Sequence, residues 1–139
     1  MLKIYLTGRY SQKEEIKEFA EQIKSLGVEV TSSWLDEPHP PQITMDDLTK
    51  EELRDFALRD FYDLRAADAI VCFSCSPIEP TVRGGRHVEF GIALALAKNI
   101  WVLGPRENVF HFHPWVEHCK TKSRMLAKIK ANMRYYANP

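Results

Sequence analysis

Seven consecutive residues, Ala69-Ile70-Val71-Cys72-Phe73-Ser74-Cys75, carry no charge and little polarity. A continuous apolar run of that length suits a strand buried on both faces, the kind found in parallel sheets with helices on either side. The flanking sequence supplies the rest of such a sheet. Residues 3–7 read as a strand running into Gly8, and residues 28–34 as a second strand. Between them, Ser11 and Glu14 have capping-box spacing and open a helix to about Leu26, closed by Gly27. Residues 36–42 form a Pro-rich loop, and residues 45–67 a long helix. After the apolar strand come a loop over 76–85, a helix from about Arg86, a strand over 99–103 and an aromatic and His-rich loop over 104–114. A short strand near 116–119 and a final helix over 121–136 with a basic outer face close the chain.

Strand and helix alternate throughout, which predicts an α/β fold with a parallel sheet between helical layers. The expected form is a flavodoxin-like or Rossmann-like three-layer sandwich of five strands in the order 2-1-3-4-5. Residues 1–139 are expected to make one domain. In such sheets a ligand binds beyond the carboxyl ends of the strands, where the order reverses between strands 1 and 3. The loops meeting there are residues 8–11 and 76–85.

Formal net charge is zero, which argues against nucleic acid or an anionic membrane as the main partner. No apolar run approaches a membrane span, and residues 1–7 are too short for a signal peptide. Three cysteines, an odd number, suggest a reducing compartment, and the expected location is cytoplasmic. Cys72 and Cys75 have C-x-x-C form but no second pair, so neither a metal nor a redox centre is expected there.

Glu89 is the residue out of place. It stands in Gly84-Gly85-Arg86-His87-Val88-Glu89-Phe90-Gly91, ahead of an almost wholly apolar run. On a helix it shares a face with Ile92, Ala93 and Leu96, one turn from a start that two glycines open. An unpartnered acid on such a face is expensive to bury. The helix N-terminus helps keep it ionised, and an ionised carboxylate in a half-dry pocket is a candidate nucleophile. The alternative is a glutamate that caps its own helix and faces water. Asp60 poses the same question. It falls within the stripe Leu53, Ala57, Leu64 and Ala67, while Asp55 and Asp63 lie nearer the polar side. Such an acid needs a function or a partner, for instance an Arg or a backbone amide. Two inward-facing carboxylates suggest, among other options, attack of one of them on an anomeric carbon.

Two segments are candidates for holding an anion. Thr7-Gly8-Arg9-Tyr10-Ser11 runs from strand to helix start, with Arg9 and Ser11 as side-chain ligands. Thr81-Val82-Arg83-Gly84-Gly85-Arg86 offers an amide nest with two guanidiniums. Neither is a Walker loop and there is no GxGxxG, so no nucleotide cofactor is expected. His111 and His113 alternate with aromatics, but no carboxylate–His pattern completes a metal site, and none is expected. That loop is a candidate to pack on the substrate or a neighbouring subunit. His39 and His118 have no distinguishing context.

Three segments together resemble the nucleoside 2-deoxyribosyltransferase-like family. They are Lys3–Ser11, Asp60 followed eight residues later by Asp68, and Gly84–Gly91 with Glu89 leading Glu-x-Gly-x-Ala-x-Ala. That family includes the transferases, the 2'-deoxynucleoside 5'-phosphate N-hydrolases and CMP N-glycosidases, and the resemblance runs from Lys3 to about His113. It implies that Glu89 is the nucleophile and that Asp60 positions sugar and base. Tyr5 and Gly8 match positions lining the sugar or phosphate pocket. Gly84, Gly85 and His87 at the helix start join the binding candidates. The residue six before the nucleophile is acidic in the transferases and a small hydroxyl residue in the N-hydrolases. Here it is Arg83, whose charge suits a 5'-phosphate better than a 5'-hydroxyl. The family also borrows pocket residues from a neighbouring subunit through the loop after the fourth strand, where Asn108, His111 or His113 can serve. The resemblance therefore implies an N-glycosidase of nucleoside 5'-monophosphates, working as a homodimer or larger homo-oligomer. The alternatives are a base-exchanging transferase and a nucleotide-binding domain without catalysis.

Overall fold

The structure is a computed structural model that describes residues 1–38, 44–75 and 84–136. Five parallel strands, β1 (Lys3–Thr7), β2 (Glu29–Val30), β3 (Ala69–Phe73), β4 (Asn99–Leu103) and β5 (Val116–Cys119), pair in the order β2-β1-β3-β4-β5. This is the predicted α/β three-layer arrangement. Every residue of β3 is buried, as its unbroken apolar run requires. Register places Tyr5 beside Ile70, Thr7 beside Cys72, and Cys72 beside Val102.

Helices α1 (Lys13–Ser25) and α4 (Lys122–Met133) are joined by the ion pair Lys122–Glu15 at 3.0 Å, while α2 (Lys50–Ala66) packs against α3 (Gly85–Ala95). Ile16, Phe19 and Ile23 of α1 are buried at helical spacing, and Phe19 meets Phe73 edge-on at 5.3 Å. Gly27 closes α1 with φ +98°, and its N–H donates to Lys24 O. Gly84, with φ +83°, turns the chain into α3.

Three expected boundaries are corrected. The second strand has two residues rather than seven. Beyond it, Ser32 Oγ accepts from Leu6 N and Trp34 Nε1 donates to Leu6 O at 2.9 Å. These side chains satisfy the edge of β1 where a longer β2 would have paired, and the chain coils into a 3-10 turn at Ser33–Asp36. The capping box of Ser11 and Glu14 does not form. Residues Tyr10–Gln12 are a 3-10 turn, Ser11 is exposed, and Gln12 Oε1 accepts from Arg9 N at 3.1 Å. The long helix begins at Lys50, not Met45. Thr49 and Glu52 form its capping box, and Met45–Asp47 is a separate 3-10 turn.

The stripe on α2 is buried only at its carboxyl end. Leu64 and Ala67 are buried, Leu53 is half-buried, and Ala57 is exposed. Leu58, Phe61 and Tyr62 are also exposed. No helix among the described residues is long and apolar enough to cross a membrane.

Candidate active site

The site is assembled by β1, α2 and α3 at the point where strand order reverses. β1 places Tyr5 and Thr7 in the core. Glu89, in the second turn of α3, reaches the same region, and both β1 residues act on its carboxyl. Glu89 Oε2 is buried, as is Tyr5 Oη, yet among the described residues neither closes a hydrogen bond of normal geometry. A buried polar atom in that state calls for an explanation, and a catalytic role is one. Burial pushes the Glu89 carboxyl up from the ordinary 4.5 to about 7. Tyr5, Thr7 and Arg59 pull against that rise, and the Asp60 carboxylate adds to it. Tyr5 is held neutral, first by burial and then by Glu89 and Asp60. Its hydroxyl therefore stays a donor beside a carboxylate that ionises near neutrality. Of the neighbours expected on the face of Glu89, Ala93 is buried, Ile92 half-buried and Leu96 exposed.

Asp60 belongs to this cluster, and it also has the Arg partner weighed for it in the sequence. Arg59 Nη2 and Nε donate to Asp60 Oδ1 at 2.7 and 3.1 Å. Arg59 Nη1 pairs with Glu37 Oε1. Burial raises the Asp60 carboxyl above its ordinary value, Arg59 opposes this, and Glu37 and Asp63 add to it. Asp63 accepts from Ser33 N at 3.0 Å and from its hydroxyl. Arg59, Glu37 and Thr7 are the members that sequence reasoning missed. The signal for Arg59 was Asp60 itself, an acid on an inward face that required a cation.

A second buried cluster lies at the start of α3. Arg86 donates to Glu107 through both terminal nitrogens, and each side chain is only 7% exposed. Arg86 therefore has its carboxylate already, and it is not the free guanidinium expected for an anion. Glu107 N donates to His111 Nδ1 at 3.0 Å, and the His111 ring packs 5.0 Å from Phe90 and 6.3 Å from His87. Burial lowers both histidines, with Arg86 adding to the effect. Asn108 Oδ1 accepts from Phe110 N and caps the turn Val109–Phe112. Asn108 and His111 thus order the loop after β4. His113 Nδ1 accepts from Trp115 N. Cys72 stands between the clusters and feels Glu89, Arg86 and Glu107.

The remaining binding candidates divide. Gly8 is needed for packing, since a Cβ there would lie 2.6 Å from Ile16 Cδ1 and 3.1 Å from Phe73 Cβ. Arg9 is half-buried, and its N–H is taken by Gln12 rather than open to an anion. Among the described residues, nothing lies within 4 Å of a Cβ built at Gly84 or Gly85. Arg83, the rest of the 81–86 nest before Gly84, and His39 lie outside the described residues. Among the described residues no three His, Cys, Asp or Glu side chains converge as metal ligands would. A separate cleft at the β2 edge, lined by Lys17, Glu21, Thr31 and Asp36, includes none of these carboxylates.

No protein-family model matches the chain, and no curated protein matches it by sequence. Solved structures do. A CMP N-glycosidase of Clostridium botulinum, BcmB, superposes with a TM-score of 0.59 at 17% identity, over 91% of this chain and 97% of that one. A conserved protein from Enterococcus faecalis V583 gives 0.66 at 16% identity, over 95% and 99%. At these identities the likeness establishes a shared fold across nearly the whole chain.

Proposed function

We propose that this chain cleaves the N-glycosidic bond of a nucleoside 5'-monophosphate, with Glu89 as nucleophile. The observation behind the proposal is the Glu89 carboxyl, buried beside Tyr5, Thr7 and Asp60 and raised to about 7. It is an acid too costly to keep there without a use. In the reaction, a Glu89 oxygen bonds to the anomeric carbon as the bond to the base breaks. The electron pair leaves with the base nitrogen, which takes a proton from solvent. Water then attacks the anomeric carbon, the glycosyl ester opens, and free base and sugar phosphate depart. Asp60 orients the sugar, and neutral Tyr5 donates towards the carboxylate. The C. botulinum neighbour is a glycosidase of CMP, a nucleotide, and this supports the substrate class.

The 5'-phosphate preference rests on the sequence, with Arg83 as its main ligand and Arg9, Ser11 and the Gly84–Gly85 amides beside it. Charge-assisted hydrogen bonds contribute about 1.5–3 kcal/mol each. Losing two should lower kcat/KM roughly 10²- to 10⁴-fold in a nucleoside relative to its nucleotide. The experiment is chromatography of released base from matched nucleosides and monophosphates, with and without added free base. Base release from the monophosphates supports the proposal, and Arg83→Ala should shrink the preference. Base exchange outpacing hydrolysis would make the chain a transferase. Binding without release from any substrate would make it a non-catalytic nucleotide-binding domain.

We further propose that the protein works as a homodimer or larger homo-oligomer in a reducing, cytoplasmic compartment. Exposed Leu58, Phe61 and Tyr62 on α2, Val88 on α3, and Val109, Phe110 and Phe112 after β4 support self-association. The compartment reading rests on the odd number of cysteines, three.

A further inference from the structure

Adjacent residues on a helix do not ordinarily face each other. Arg59 nonetheless turns back on Asp60, and its guanidinium is held on three sides. Nε and Nη2 donate to Asp60 Oδ1, Nη1 pairs with Glu37, and the plane lies 5.0 Å from the Phe56 ring centre. Glu37 is anchored in turn. Its carboxylate is 12% exposed, and its carbonyl oxygen accepts from Nζ of buried Lys13. A chain of polar contacts thus runs from α1 through Glu37 and Arg59 to Asp60. Both Arg59 bonds end on Oδ1, and Asp60 Oδ2 has no hydrogen-bond partner among the described residues.

We infer that Arg59, clamped by Glu37, is a positioning residue that holds Asp60 ionised by one oxygen and leaves the other free for the substrate. The inference builds on the glycosidase reading. Arg59 also has an electrostatic task, because Asp60 interacts with Glu37, Asp63 and Glu89, and both Asp60 and Glu89 act on Tyr5. Without the guanidinium, four carboxylates share one half-dry region, and their mutual repulsion favours protonation. A lysine would keep the charge but lose the planar fork that reaches Glu37 and Asp60 together.

The test compares wild type, Arg59→Gln and Arg59→Lys by carboxyl carbon NMR titration of Asp60 and Glu89, alongside the pH profile of base release. In Arg59→Gln both titration midpoints should move to higher pH, and kcat should fall about 10- to 100-fold. The acid limb of the profile should move up with them. Arg59→Lys should titrate close to wild type yet recover only part of kcat. Unmoved midpoints in Arg59→Gln overturn the inference, whatever the activity does, and so does a wild-type kcat in that variant. If the wild type releases no base, the glycosidase reading fails by itself, and the titration still decides whether Arg59 governs Asp60.

Discussion

At the scale of residues, the protonation of Glu89 couples stability to function. Between pH 4.5 and about 7 the native protein holds a proton on Glu89 that the unfolded chain has released. Wild-type stability therefore falls as pH rises through that window, by roughly 3 kcal/mol from this group. Glu89→Gln has no such proton to lose. Its melting temperature should exceed that of wild type at pH 8, and the gap should close towards pH 4.5. A variant less stable than wild type at pH 8 would mean that the ionised carboxylate is a structural partner. Glu89 was legible in the sequence because an acid inside an apolar helical run breaks a pattern. Asp60 was legible for the same reason, but Arg59 was not. Rules for helix neighbours look three or four positions away, and the side chain that balances Asp60 is the adjacent one.

At the scale of elements, the Arg86–Glu107 pair ties the first turn of α3 to the loop after β4. Burial tends to raise Glu107, but Arg86 holds its carboxyl below the ordinary value. The pair's stabilisation is thus present above the usual carboxylate range and lost as pH falls through the lowered value. Glu107→Ala leaves Arg86 buried without its counter-charge and should cost about 3–5 kcal/mol in urea unfolding at pH 7. A loss below about 1 kcal/mol would mean that water replaces Glu107 at little cost. Nothing local in the sequence pairs residues 21 positions apart on different elements, which is why Arg86 read as a guanidinium for an anion and Glu107 drew no reading. The shortened β2 escaped notice for a related reason. Ser32 and Trp34 suit an extended strand by type, but they bond to Leu6 through their side chains.

At the scale of the whole molecule, the parallel sheet between helical layers followed from one buried strand and the alternation around it. Burial on both faces of β3 requires helices above and below, and the crossovers then fix parallel pairing. The same topology brings the carboxyl end of β1 and the start of α3 to one edge, so the site follows from the fold as well as from its residues. The exposed apolar side chains of α2 and α3 belong to this scale too. If they meet a second copy, sedimentation at micromolar concentration should give at least twice the 16.1 kDa chain mass. Phe61→Glu should then shift the protein towards monomer. A monomer in the wild type at that concentration would refute the proposed assembly.

The central claim is covalent attack by Glu89, and quench-and-digest mass spectrometry during turnover of a slow nucleotide tests it most directly. The account predicts a sugar-phosphate adduct on the peptide bearing Glu89, formed and lost at rates compatible with turnover. Glu89→Gln should show neither adduct nor base release. Undiminished base release by Glu89→Gln, or an adduct on another residue, would contradict it.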